Sequence, residues 1–377
     1  MSHNAPPPRT GGPATPPDPC VRALEHAADL AVLAPSVHNT QPWSIGMHLD
    51  RMEIRVDRSR QLTALDPQGR EMVQSVGAAL LTARVALAAE DWAVEVDRLP
   101  DPVDRDLLAV VRPVAGRADR VLAALAPAVP ERRTNRRQFA PEPLPEDVLR
   151  LLIAAAAAED TSLVPVTSEP HRRLVARLTQ QADGVQNASP AYRAELRHWT
   201  TRATSAGDGV PSSVVPRTDG SPGNDIPLRD FDTQGNGALP ADTRSGADQT
   251  LVLLATRSDD PGAWLRAGEA LQRVLLELTR LGWVASPLSQ AVEVPITRTQ
   301  LRAALAWDAH PQMLLRIGRA EPTGPVLRRP RSEAVTGSWQ PPRPGSDSEP
   351  PARPGGGTRH PVSDGRGGTI WIVDQET

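Results

Sequence analysis

The chain is poor in cysteine and in aromatic residues. Its 377 residues include one Cys, one Tyr and two Phe, alongside eight Trp. A single cysteine, Cys20, cannot form an internal disulfide, which is typical of proteins kept in a reducing cytosol, so we expect a cytoplasmic location. With so few aromatic side chains, the core must be built from Ala, Leu and Val.

Long apolar segments and an excess of positive charge are missing too. No run of 18 apolar residues predicts a membrane span, and the N-terminus lacks the apolar core of a signal peptide. The net charge is −3, from 42 basic and 45 acidic residues, which gives no basic field for nucleic acid. We therefore expect no membrane partner and no nucleic-acid partner. The spacing of His, Cys and acidic residues predicts no metal site.

Both ends of the chain are rich in Pro, Gly and Ser. Residues 1–18 and 337–377 contain few apolar side chains, which predicts disordered tails. An isolated apolar patch at residues 370–373 could pair with a sheet edge, although the surrounding composition favours disorder.

Between the tails, helical and strand periodicities are mixed, which predicts an α+β fold. The predicted helices are residues 21–33, 71–89, 119–126, 148–158, 171–181, 191–200, 261–280 and 298–305. The predicted strands are residues 52–56, 93–96, 107–111, 162–166, 251–255 and 312–318. Residues 71–89 and 261–280 are the strongest helices, and the first of them is apolar enough to be substantially buried.

A polar loop follows the first helix, at residues 34–43 (Ala-Pro-Ser-Val-His-Asn-Thr-Gln-Pro-Trp). Pro35 ends the helix, and Ser36, His38, Asn39 and Gln41 offer several hydrogen-bond donors and acceptors in a few residues. Such a loop suits a flat ligand with polar edges. The alternative is a helix C-terminus with a turn capped by its own Asn and Ser side chains.

A second polar segment, the arginine element, comprises residues 131–139 (Glu-Arg-Arg-Thr-Asn-Arg-Arg-Gln-Phe). Guanidinium groups match phosphate oxygens bidentately, so the element could clamp a phosphate. The alternative is a solvated charge run before a helix.

Residues 202–246 are rich in Gly, Pro, Ser and Asp and contain few apolar residues. Long segments of this kind inside a domain are usually functional lids or disordered linkers. We interpret residues 202–246 as a lid segment, with a solvated linker as the alternative.

The two halves of the sequence resemble each other. Gly77 and Trp92 have counterparts in Gly268 and Trp283 at the same spacing, and an apolar strand follows each tryptophan. Element order agrees as well, which favours a duplication over coincidence between helices rich in Ala and Leu.

The 34–43 loop resembles the P-S-x-x-N-x-Q-P-W segment of the nitroreductase superfamily, in the form of its Acg-type branch. The arginine element resembles that superfamily's R-R-S-x-R-x-F/Y segment, with Thr134 in place of Ser. The resemblance implies an α+β, three-layer α/β/α sandwich in which two tandem halves, residues 19–130 and 131–336, form an intramolecular pseudo-dimer. The first half keeps only the loop and the second only the arginine element, which implies one FMN site in a monomer.

The same resemblance implies roles for individual residues. Arg132, Arg133, Thr134 and Arg136 would hold the FMN phosphate and ribityl chain, and Arg328 and Arg329 would add to the phosphate clamp. The flavin would be contacted from the other half by Pro35, Ser36, Val37, Asn39 and Gln41. Ser286, Pro287, Leu288 and Ser289 resemble the segment near the flavin N5. Arg172 and Arg173 are candidates for the cation at the flavin N1/O2 edge.

No side chain stands out as a nucleophile or general base, so no catalytic residue is predicted. This fits flavin chemistry, in which the hydride belongs to the cofactor. The first hypothesis is an FMN-dependent oxidoreductase passing a hydride from a small-molecule donor to a nitro- or quinone-type acceptor. The second is a flavin-storing protein with a closed lid and little or no turnover. A scaffold acting through its Pro-rich tails is a third possibility.

Overall fold

The structure, a computed structural model, describes residues 18–217, 226–241, 249–304, 308–337, 359–363 and 369–373. The chain divides into two units. One is Pro17–Trp339, and the other combines Met1–Pro16 with Gln340–Thr377.

Helices account for much of the larger unit. They are α1 (Pro19–Ala31), α2 (Arg70–Ala89), α3 (Arg120–Ala123), α4 (Glu146–Ala157), α5 (Glu169–Asn187), α6 (Pro190–Thr200), α7 (Pro261–Arg280), α8 (Gln290–Glu293), α9 (Pro295–Ala304) and α10 (Arg331–Ala334). Asp18, Ser168, Ser189 and Asp260 cap α1, α5, α6 and α7, each with a proline among the first two helical residues. Such caps satisfy N–H groups that have no partner within the helix.

The strands include all six that were predicted. They are β1 (Trp43–Met47), β2 (Met52–Val56), β3 (Ala93–Arg98), β4 (Leu107–Val114), β5 (Ser162–Pro165), β6 (Thr250–Thr256), β7 (Val284–Leu288), β8 (His310–Gly318), β9 (Val335–Thr336), β10 (Arg359–Ser363) and β11 (Thr369–Val373). β1, β7, β9, β10 and β11 were not predicted as strands. β1 contains a glycine and β7 a proline, which are uncommon inside strands, and β9 has only two residues. β10 and β11 lie in a tail whose composition predicted disorder.

The first sheet has the order β3-β4-β2-β1-β9, in which β9 is parallel to β1 and the other pairs are antiparallel. In β1 and β2, buried residues alternate with partly exposed ones. The buried face packs against α1 and α2. Among the described residues, this sheet is therefore covered on one face.

The second sheet has the order β5-β6-β8-β7 and is antiparallel throughout. α4 and α7 pack on one face, and α5, α8 and α9 pack on the other. Because both faces are covered, β6 and β8 are buried along almost their whole length. The three-layer α/β/α arrangement is thus present around this sheet.

The two sheets share one connectivity. In each, the first and second strands are neighbours, the fourth strand follows the second, and the third lies beyond it. A long helix, α2 or α7, joins the second strand to the third. Trp92 N–H donates to Leu87 O at 3.0 Å, and Trp283 N–H donates to Leu278 O at 2.8 Å, so the two helices also end in the same way.

The helices α2 and α7 cross at two glycines. A Cβ atom on Gly77 would lie 3.0 Å from the Cα of Gly268 and 2.1 Å from Leu265 O. The backbones can approach this closely only because neither residue has a side chain. α2 is long and apolar enough, by length and composition, to cross a membrane, but 89 % of that stretch is buried here. Its apolar surface is therefore explained by its place in the core.

The C-terminal tail departs from the expectation of disorder. β10 and β11 pair as an antiparallel hairpin, with Val362 opposite Ile370. The apolar patch at residues 370–373 thus lies in a strand that pairs within the tail. Residues 1–17 and the rest of the tail lie outside the described residues.

Candidate functional site

The 34–43 loop has an unusual backbone. His38, Asn39 and Gln41 have φ values of 46°, 54° and 51°, in the left-handed region that residues other than glycine rarely adopt. Ser36 Oγ accepts a hydrogen bond from Gln41 N–H at 2.9 Å, so the loop does cap itself, as the alternative interpretation supposed. Strained conformations of this kind concentrate at functional sites.

Two amide side chains of the loop bind distant backbone. Asn39 Nδ2 donates to Gly209 O at 3.0 Å and to Leu327 O at 3.2 Å. Gln41 Nε2 donates to Gly207 O at 2.8 Å, and its Oε1 accepts from Arg329 N–H at 2.9 Å. The loop is therefore fixed to the start of the lid segment and to the chain near residue 328.

The arginine element lies beside β7. Thr134 forms a parallel bridge with Ala285, and Asn135 N–H donates to Ala285 O at 3.0 Å. This pairing places the arginines next to Ser286 and Pro287, the first of the residues expected near the flavin.

Loop and arginine element meet in a cleft formed by two connected cavities, which share Pro35, Ser36, Thr134 and Arg136. The larger cavity has an empty volume of about 840 Å³ and the smaller one about 520 Å³, both including space that is open to solvent. Apolar side chains such as Leu271 contribute to the walls of the larger cavity. Each of these volumes lies in the range of a typical small-molecule site.

The smaller cavity carries positive charge without matching acids. Burial, followed by the charges of Arg328 and Arg133, lowers the pKa of Arg132 to about 9. Burial lowers the pKa of Arg328 to about 10, with a further contribution from Arg133. The Nε and Nη1 atoms of Arg132 are buried and have no hydrogen-bond partner among the described residues. An anion bound here would satisfy these donors.

Most of the predicted site residues line the cleft. They are Pro35, Ser36, Val37, Asn39, Arg132, Arg133, Thr134, Arg136, Ser286, Pro287, Ser289 and Arg328. They come from both halves of the chain.

Three predicted residues lie outside the cleft lining. Gln41 and Arg329 bind each other: Arg329 N–H donates to Gln41 Oε1, and Arg329 Nη2 donates to Gln41 O at 2.9 Å. Leu288 is 1 % exposed and packs in the core between the second sheet and α5.

Neither candidate for the flavin-edge cation lines the cleft. Arg172 donates to Gln249 O at 2.8 Å, and Arg173 forms a surface ion pair with Glu169. The lid segment instead supplies Arg229, which the sequence did not single out as a site residue. Arg229 is buried and donates to the two carboxylate oxygens of Glu293 at 2.6 and 2.5 Å.

Phe231 and His38 also line the cleft. The Arg136 guanidinium lies 4.7 Å from the centre of the Phe231 ring, and the His38 ring meets Phe231 edge-on at 5.2 Å. Burial, then the charges of Arg229 and Arg136, holds the pKa of His38 well below its usual value, so the imidazole is neutral. Phe231 had a sequence signal, since it is one of the few apolar residues in the polar segment 202–246.

Similarity to known proteins extends over most of the chain. A sequence profile of the Nitroreductase family matches residues 129–319. Putative NAD(P)H nitroreductase Rv3131 of Mycobacterium tuberculosis (strain ATCC 25618 / H37Rv) is 38 % identical over 315 residues, 81 % of this chain and 89 % of that protein. Putative NAD(P)H nitroreductase acg of the same strain is 32 % identical over 324 residues, 82 % of this chain and 94 % of that protein. A nitroreductase with bound FMN from Desulfitobacterium hafniense DCB-2 covers 56 % of this chain and 96 % of its own, with 12 % identity and a TM-score of 0.36.

The profile match includes the arginine element and β7, which form one wall of the cleft. The two relatives each cover more than four fifths of the chain at 32 % identity or more. The chain therefore belongs to the nitroreductase family.

Proposed function

We propose that this protein is an FMN-dependent oxidoreductase that transfers a hydride from a nicotinamide donor to a nitro- or quinone-type acceptor. The observation that carries the proposal is the cleft itself, in which unpaired buried cations adjoin a largely apolar cavity. FMN has the same two parts, a dianionic phosphate and a flat ring system.

The residues present fit this cofactor. Arg132 and Arg328 would bind the phosphate, because each has a buried donor without a hydrogen-bond partner among the described residues. Arg133, which lines the same cavity, would add its charge. Pro35 and Pro287, which both line the larger cavity, would contact the ring system. FMN supplies hydride chemistry when bound, and the chain would position it and exclude water. The names of the relatives suggest NAD(P)H as the donor.

We also propose that residues 19–130 and 131–336 are two halves of an intramolecular pseudo-dimer. The shared sheet order and the crossing of α2 and α7 at Gly77 and Gly268 support this. The loop from the first half and the arginine element from the second form the cleft together, as two subunits would.

A pseudo-dimer would have a second place equivalent to the cleft. In this chain, charged side chains occupy the positions that would line it. Three cleft residues have charged counterparts at the same separation along the chain as Gly77 and Gly268. Ala78 corresponds to Glu269, Leu275 to Arg84, and Ser289 to Arg98. Arg84 and Arg98 both donate to Glu269, at 2.7–2.8 Å. Arg84 also donates to Glu159, which follows α4 where a second polar loop would be expected. This network supports a single FMN per chain. We also propose that the protein is a cytoplasmic monomer, as the sequence predicted.

A specific observation favours a second function, flavin storage with little turnover. The lid segment contributes Gly209, Val210, Arg229 and Phe231 to the cleft walls. Val210, Val214 and Val215 pack together in a small apolar cluster, which argues against a freely solvated linker. A lid held in this way would limit access to the ring system.

The test is the absorbance of the purified protein, followed by release and identification of the cofactor and an assay of NAD(P)H consumption with a quinone. We expect a yellow protein with one FMN per chain that oxidises NAD(P)H. A yellow protein without turnover would favour storage. A colourless protein that cannot be loaded with FMN would contradict both functions.

A further inference from the structure

Glu71 is a buried acid in the wall of the cleft. It lies in the first turn of α2, lines the larger cavity, and is 3 % exposed. Its Oε1 atom is buried and has no hydrogen-bond partner among the described residues. A carboxyl group in this position faces the space where a ring system and its reaction partner would lie.

The basic neighbour of Glu71 is mostly engaged elsewhere. Arg70 Nη2 lies 3.6 Å from Glu71 Oε1, which is too long for a hydrogen bond. Arg70 instead donates to Val292 O at 2.7 Å and to Pro311 O at 3.3 Å. Within the described part of the chain, Glu71 therefore has no close charged hydrogen bond that would hold it as a carboxylate.

The remaining charged groups around Glu71 are mixed in sign. Glu293 and Asp66 oppose ionisation of Glu71, whereas Arg70 and Arg229 favour it. Burial dominates, followed by the charge of Glu293, and together they raise the pKa of Glu71 well above 4.5. The N-terminus of α2 acts in the opposite direction, but its effect on a carboxylate is small beside the cost of removing that carboxylate from water.

Two charged neighbours of Glu71 line a second cavity. Arg70 and Glu293 line a neighbouring surface cavity that also contains His310 and Arg302. Glu71 itself lines the cleft, and the charges of Arg70 and Glu293 both act on it.

We propose that Glu71 is the general acid of the second half of the reaction, in which the acceptor is reduced. This inference rests on the proposed function. A quinone that takes a hydride gains two electrons and one hydrogen nucleus and becomes an oxyanion. The O–H bond of Glu71 breaks, its proton joins that oxygen to give the hydroquinone, and the resulting carboxylate regains a proton from water.

Other side chains in the cleft are less suited to this role. His38 is neutral beside Arg229 and Arg136, and a neutral imidazole is a weak acid. The hydroxyl groups of Ser75 and Thr134 are weaker acids still. Glu71 combines a transferable proton with a place in the cleft wall.

The test is the variant Glu71→Gln, because glutamine keeps the shape of the neutral acid but has no transferable proton. The two half-reactions are measured separately by stopped-flow absorbance of the flavin. We expect oxidation of the reduced protein by a quinone to slow by about 10²–10⁴-fold, the range of general acid catalysis. Reduction by NAD(P)H and oxidation by ferricyanide, which takes up no proton, should keep their wild-type rates. Glu71→Asp should restore part of the quinone rate, and the surface variant Glu146→Gln should leave it unchanged.

Equal slowing with quinone and ferricyanide would mean that Glu71 is only structural, and an unchanged quinone rate would also overturn the proposal. Infrared spectra of the protein without cofactor give an independent result. The wild type should show the carbonyl stretch of a protonated carboxylic acid at neutral pH, and Glu71→Gln should lose it. Absence of that band from the wild type would refute the assignment even if the flavin chemistry holds. A protein that binds no FMN would refute the proposed function, and with it the role of Glu71.

Discussion

Gly77 and Gly268 lie in contact where α2 and α7 cross. A Cβ atom on Gly268 would be 1.9 Å from Gln74 O, and one on Gly77 would be 2.1 Å from Leu265 O. The two clashes are equivalent, each between a glycine of one helix and a carbonyl oxygen of the other. This contact sets the distance between the two halves, and α2 and α7 both line the cleft.

The first prediction is that Gly77→Ala destabilises the protein strongly. The new methyl group would push the helices apart, and overpacking of this kind lowers the free energy of unfolding by ~1–3 kcal/mol or more. The matched control is Gly184→Ala in α5, where a Cβ would meet no atom within 4 Å. That change should stabilise the protein by ~0.5–1 kcal/mol, because alanine favours helix. Urea unfolding measures the free energy of unfolding of both variants. Equal changes in the two variants would contradict the close approach of α2 and α7 at Gly77.

The second prediction concerns the cationic cavity. Arg132→Met should weaken FMN binding by roughly 10- to 100-fold, as expected for loss of a charged hydrogen bond. It should also raise the free energy of unfolding of the cofactor-free protein by ~1–3 kcal/mol, because a buried cation without a partner is removed. Fluorescence titration and urea unfolding give the two values. Arg150→Met, at an exposed ion pair with Glu146, should change neither value appreciably. A cofactor-free Arg132→Met protein that is less stable than the wild type would contradict the unpaired state of Arg132.

The third prediction is a pH dependence caused by Glu71. Its pKa in the folded protein is raised above 4.5, so above pH 4.5 the unfolded chain loses this proton while the folded protein keeps it. The unfolded state then binds fewer protons, and the free energy of unfolding falls as pH rises, until the folded pKa is reached. Glu71→Gln without cofactor should therefore gain stability relative to the wild type by about 1.4 kcal/mol per pH unit above 4.5. Chemical unfolding between pH 4 and 8 measures this gain, with Glu146→Gln as the control. A constant difference across that range would show that Glu71 ionises normally.

The fourth prediction tests whether Arg229 holds the proposed lid closed. The double variant Arg229→Met with Glu293→Gln removes both members of the ion pair, so no charge is left buried alone. FMN should remain bound, because the cations of the smaller cavity are unchanged. Reduction of the flavin by dithionite should become about tenfold faster if the pair contributes ~1.4 kcal/mol to closure. The matched control, Arg217→Met, alters an exposed residue of the same segment. Equal rates for the double variant and the wild type would rule out this pair as the latch.

Local sequence patterns determined much of the fold. The apolar periodicity of α2 and α7 predicted two buried helices within one residue of their observed bounds. The 34–43 loop and the arginine element were recognisable from the residue types at fixed spacings. These features depend on neighbouring residues along the chain, through backbone sterics and the 3.6-residue period of a helix.

Tertiary structure alone decided which residues share the cleft. Pro35 and Thr134 lie about a hundred positions apart in the sequence, yet they line the same two cavities. Nothing in the sequence distinguishes Glu71 from other acids near helix starts, or Arg229 from other arginines in polar segments. Their charge states depend on the groups packed around them and on the water those groups exclude. Desolvation and Coulomb energies are set by distances in space, which the order of residues along the chain does not contain.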